Sequence, residues 1–227
     1  MADVTTHLVD LVQWGCFPDS VLDFRTDIRV GSAKRRPTLV SPAQFEKVTG
    51  LAGFPDYLRP RLDGSGSLPV YANGEIVYRI RGHWAKVSVL WNFEAPAGGG
   101  DTHFSIVRGT KANLVIRQGK EQSFRPELTV EPTRAPAMDA LEPALVAALH
   151  GLSSKYPGLG LAREQDRWRV TIPDSYRVGH EAHFGQVADA FLSYVRDGAL
   201  PAWEVPGMLA KYHTTTTALE MALRSKE

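Results

Sequence analysis

Between Val70 and Val130 the chain reads as short runs of alternating apolar residues broken at glycine, and few folds accommodate that pattern. Val70-Tyr71-Ala72 meets Asn73-Gly74, a strong hairpin signal, and residues 75–80 return from it. Ala85, Val87, Val89, Trp91 and Phe93 share one face of the next run, with Trp84 and Leu90 on the other. Glycines at 98–100, 109 and 119 then separate strands expected at 102–108, 111–117 and 122–130. Chain broken this often cannot wind into long helices, so an antiparallel meander is predicted.

Helical signals flank the meander. A helix is expected from about residue 4 to Trp14, with Asp3 as its N-cap. Ser41-Pro42-Ala43-Gln44 reads as a capping box opening a short helix to Thr49. Longer helices are predicted over 138–153, 180–196 and 206–224, and short strands over 21–30, 159–163 and 168–172. Lys34-Arg35-Arg36 before Pro37 reads as a solvated loop, and 53–68 as loop. Strands in the middle with helices at both ends predict an α+β fold: one large, open, mainly antiparallel sheet covered on one face by helices. One domain over 1–227 is expected.

The charge balance is near zero, with 26 Lys and Arg against 25 Asp and Glu, so no net field favours nucleic acid or an anionic membrane. One cysteine, Cys16, leaves no internal disulfide and fits a reducing compartment. No run approaches the roughly 20 apolar residues of a membrane span, and no secretory signal opens the chain. A cytoplasmic location is expected.

The most suggestive polar pattern opens the chain. In Asp3-x-x-x-His7-x-x-Asp10, spacings of four and three place all three groups on one helix face, with Trp14 continuing the stripe. Val4, Leu8 and Leu11 read as the core stripe beside it. A carboxylate held against an imidazole suits proton transfer near neutral pH. The other reading is an N-cap and a packed histidine. His103 enters a sheet strand and suits a cleft; Asp101 beside it reads as turn chemistry. His180 and His183 stand three apart without a signalled third metal ligand, so His183 reads as a polar group near a ligand. A hydrolase metal site built on His7, His103 and His183 is the weakest alternative. Lys211 and Tyr212 precede four threonines whose small side chains suit close helix packing. Gly64-Ser-Gly66 and Gly158-Leu-Gly160 lack the spacing of a dinucleotide loop.

Three stretches resemble the C-terminal substrate domain of the Gfo/Idh/MocA oxidoreductases, in the branch of oxidoreductase C-terminal domains: the Asp3/His7/Asp10 helix, Trp91 through the Gly109-Thr-Lys-Ala turn, and Pro201 to Thr215. The resemblance implies an NAD(P)-dependent enzyme acting on a sugar, polyol or related hydroxy compound, of which this chain is the back half. It implies that Asp3 and His7 are catalytic, and that NAD or NADP binds a Rossmann half absent here. No cofactor is expected on this chain alone, and the isolated chain is expected to be inactive. Asp10, Trp14, His103, His183, Lys211 and Tyr212 are expected to contact substrate. The apolar content of the sheet faces predicts a homodimer or larger homo-oligomer, with no nucleic-acid or membrane partner. The rival reading is a non-catalytic binding or assembly module on the same fold.

Overall fold

A computed structural model describes residues 2–134 and 138–224, with side chains from Val4 onward. The chain is α+β, and all its strand pairs are antiparallel. The strands fall into two sheets, and the chain divides into two compact units. Unit 1 comprises residues 1–94 and 194–227, and unit 2 residues 95–193.

In unit 1, β1 (Ile28–Val40), β2 (Leu68–Ile80) and β3 (His83–Val89) form a three-stranded meander in that order. Helices α1 (Ala2–Cys16) and α5 (Glu204–Arg224) pack on one face of it and on each other. Ile28, Ala33, Ile76, Tyr78, Ile80 and Val87 point into that layer and meet Val9 of α1 and Ala210, Ala218 and Ala222 of α5. Alanines on α5 let the helix approach the sheet closely, and Thr214 and Thr215, also buried, turn their hydroxyls back onto carbonyls of their own helix. The threonine run is thus helix packing. The capping box on α2 (Pro42–Thr49) forms as expected, closed by Gly50 in the left-handed conformation.

Four expectations are corrected here. Asp3 lies inside α1 rather than capping it. The strand expected at 21–30 starts only at Ile28 and runs through Lys34-Arg35-Arg36-Pro37. An edge strand tolerates charges and a proline because one of its sides needs no partner, and bulges near Gly31 and Pro37 absorb the irregularity. Asn73-Gly74 is not a turn: β2 passes straight through it, and buried Asn73 donates to Thr38 Oγ1 (2.8 Å) and accepts from Trp91 N (2.6 Å). The β2–β3 hairpin turns instead at Arg81-Gly82, both at positive φ. Finally, β3 ends at Val89, so Trp91 and Phe93 lie beyond the strand and pack against each other.

In unit 2, β4 (His103–Arg108), β5 (Ala112–Gln118), β6 (Glu127–Pro132), β7 (Gly160–Arg163) and β8 (Trp168–Thr171) form a sheet of order β4-β5-β6-β8-β7. Helix α3 (Met138–Leu152) joins β6 to β7, and Arg163 of β7 reaches both Asp139 and Glu142 of α3, each at 2.7 Å. Trp168 is fully buried. One face of the sheet carries ion pairs, Arg117 with Glu131 and Glu164 with Arg167 and Arg169. Helix α4 (His180–Asp197) follows, and the division between the units falls within it.

Candidate functional site

Helix α1 presents two faces whose composition inverts the sequence expectation. Its buried stripe is Thr5, Val9, Asp10 and Gln13, with Leu8 and Val12 half-buried beside it. Val4 and Leu11, expected in the core, are 46% and 51% exposed. They join His7 and Trp14, both exposed, on the outer face. The inversion follows from Asp10, which turns inward because a cation waits there.

That cation is Lys211 of α5, whose Nζ donates to Asp10 Oδ2 at 2.8 Å with both side chains largely buried. The pair spans 201 residues of sequence and ties the first helix to the last. Gln13, one turn on, donates to Gly207 O (3.0 Å) and accepts from Lys211 N (3.3 Å) in the amide orientation that satisfies both ends. Lys211 Nζ also stands 5.2 Å from the Tyr212 ring, which is itself half exposed. Beneath the helices the fully buried Tyr78 hydroxyl of β2 makes no hydrogen bond. Burial, with a smaller contribution from the nearby Asp10 carboxylate, pushes its phenol well above the ordinary value. The α1–α5 seam is thus polar and charge-compensated within, and apolar with one imidazole without.

Of the residues singled out from the sequence, His7, Asp10, Trp14, Lys211 and Tyr212 fall in unit 1 on this helix pair. Asp3 lies in the first turn of α1, and its side chain is outside the described residues. His103 is half-buried at the start of β4, and His183 is exposed in the first turn of α4, both in unit 2. Among the described residues no three His, Cys, Asp or Glu converge as metal ligands. No helix among them is long and apolar enough to cross a membrane.

Sequence reading missed that Asp10 and Lys211 are partners, and missed Gln13 and Tyr78 altogether. Gln13, one turn after Val9, was the available sign of a buried polar seam. Neither glycine pair stands where a dinucleotide loop would. Gly64 and Gly66 lie in a turn that leads into β2, and Gly158 and Gly160 lead into β7, so neither pair opens a helix onto which a pyrophosphate could settle.

Residues 1–223 match the family model described as the putative oxidoreductase C-terminal domain, and the chain belongs to that family. A solved structure described as a putative oxidoreductase, from Parabacteroides merdae ATCC 43184, is similar at 55% identity with a TM-score of 0.93. The match covers 97% of this chain and 50% of that one, so this chain spans half the length of that relative. No curated protein matches.

Proposed function

We propose that the chain is the substrate-binding half of an NAD(P)-dependent oxidoreductase of the Gfo/Idh/MocA type, acting on a sugar, polyol or related hydroxy compound. The observation that carries this reading is the outer face of α1, where His7 stands among exposed Val4, Leu11 and Trp14. Apolar surface of this kind on a helix pair is a face that something else covers. A relative described as an oxidoreductase has as much chain again as the part matched here, and the Rossmann half would be that cover.

On this reading His7 takes or returns the proton of the substrate hydroxyl, and Asp3, one turn before it, orients the imidazole. Trp14 and Tyr212 offer aromatic surface against which a sugar ring packs. Asp10 and Lys211 hold α1 at a fixed angle on α5 and so position His7, rather than meeting substrate as free charges. The assembled enzyme is a homo-oligomer. NAD or NADP is held by the other half, which this chain's glycine pairs cannot replace.

The test is a chimera joining this chain to the cofactor-binding half of the Parabacteroides merdae relative, assayed for NAD(P)-dependent oxidation across a panel of sugars and polyols. Turnover of at least one substrate is expected, with His7→Asn lowering kcat by about a hundredfold or more while the fold is kept. A well-folded chimera inert with every substrate would sink the reading in favour of a non-catalytic assembly module, and an active one indifferent to His7→Asn would sink the role given to His7.

A further inference from the structure

Helix α4 carries an apolar stripe that covers nothing. Phe184, Val187, Phe191 and Val195 follow one another at intervals of three and four, with Leu192 alongside, while Gln186, Asp189 and Asp197 lie opposite. These five apolar residues are 60–66% exposed, and no residue of the helix is buried. The His180 ring leans on Phe184, 4.8 Å between centres, and beyond that pair the stripe is bare from Val187 to Val195. The last turn of α4, from Tyr194, belongs to unit 1 together with α1 and α5. The chain continues from it through Leu200 to Val205 and Met208 of α5, which are 42–49% exposed.

A helix of this length is marginal in water on propensity alone, and in a protein its stability comes from burying its apolar face. Gly185 weakens it further, and a Cβ there would meet nothing within 4 Å, so no described neighbour requires the glycine. Four side chains at these exposures leave on the order of 400 Å² open, as much as the largest apolar patch on a typical soluble monomer. That is about half of the roughly 800 Å² per partner of a stable dimer. A zipper with a second copy asks for about three or four heptads, and α4 has 18 residues. A bilayer surface asks for a basic polar face, and Arg196 is the only Lys or Arg of α4. An interface between domains of one chain, roughly 600–1,500 Å² in all, accommodates a patch of this size as one of its parts.

We propose that Val187, Phe191, Leu192 and Val195 dock α4 onto an apolar surface of the other half of a longer protein, the half that the Parabacteroides merdae relative has beyond the 50% matched here. The outer face of α1, with Val4, Leu11 and Trp14, is surface of the same kind, and the same half covers it. That half is therefore held by two helices far apart in sequence, and α4 is stable only where it is covered. The inference rests on the reading above for the identity of the covering half, but needs neither cofactor nor substrate to be tested.

Amide hydrogen exchange over residues 184–197, read by mass spectrometry, tests this in the chain alone and in the chimera with the relative's unmatched half. Exchange in the chain alone is expected to be fast and independent of protein concentration, and to slow by about tenfold or more in the chimera. Phe191→Ser with Val195→Ser should leave Tm of the chain alone unchanged, since neither side chain is buried there, while removing the protection of α4 in the chimera. Should the chimera fail to assemble, the full-length relative against its own matched half gives the same reading. Equal exchange with and without the other half overturns the proposal. A Tm loss in the chain alone also overturns it, because the stripe would then belong to this chain's own core. Protection that grows with the concentration of the chain alone does so too, in favour of a second copy. No turnover is read, so an inert chimera with α4 protected keeps this proposal while sinking the catalytic reading, and an active chimera with α4 exposed does the reverse.

Discussion

Lys211 and Asp10 are partners of one another in the structure, which neither position betrays in the sequence. Each was noticeable as a polar residue at helical spacing, and each was expected to meet substrate. Spacing along one helix says which residues share a face, but not which element that face meets. The partner 201 residues away was therefore invisible. Their exposures, 12% for Asp10 and 19% for Lys211, place the pair where removing one member leaves the other short of both water and partner. Lys211→Met should lower unfolding free energy by about 2–4 kcal/mol in urea titration, and Asp10→Leu with Lys211→Met should recover most of that loss. A single-variant cost within about 0.5 kcal/mol of the parent would place the pair in effective contact with solvent. His7 was equally noticeable, and its exposure on an apolar face is what a spacing argument could not supply. The helix burial stripe moved by one position once Asp10 was drawn inward, and Val4 and Leu11 moved out with it.

At the scale of elements, local chemistry was legible where it is self-contained. Ser41 and Gln44 satisfy each other's backbone within one turn, so the start of α2 could be read from four residues. Asn73-Gly74 misled for the opposite reason. The Asn73 side chain is consumed by Thr38 and Trp91, both far along the chain, and tertiary bonds hold the dipeptide in a strand. Lys34 to Pro37 misled because a charged, proline-bearing run is ordinary on an edge strand and rare on a central one. The α+β class and antiparallel pairing could be read from alternation alone, but the partition of the strands into two sheets could not, since it depends on which edges stay unpaired. In unit 2 the Arg117 guanidinium, hydrogen-bonded to Glu131, holds that carboxyl below the usual carboxylate range. A depressed folded pKa means the pair's contribution is complete above the unfolded value of about 4.3 and is lost as pH falls through the lower folded value. Urea midpoints measured from about pH 6 down to about pH 3 should fall in the parent, and more shallowly in Arg117→Met. Equal slopes would mean the pair is idle.

The whole molecule is two compact units on a chain half as long as its solved relative. Family membership carries the fold and the link to oxidoreductases; the chemistry assigned to His7 rests on one helix face. That face is defined by what it exposes, namely an imidazole between Val4, Leu11 and Trp14, with Tyr212 exposed on the helix packed alongside. The central claim is that the cofactor half covers this face and thereby completes a site around His7. Diethyl pyrocarbonate labelling of His7, read by peptide mass spectrometry in the isolated chain and in the chimera, tests that claim most directly. The account predicts ready modification in the isolated chain and strong protection in the chimera, while exposed His180 on α4 serves as the internal reference. Equal labelling of His7 in both would show that the face stays open to solvent, and would contradict an active site built on α1.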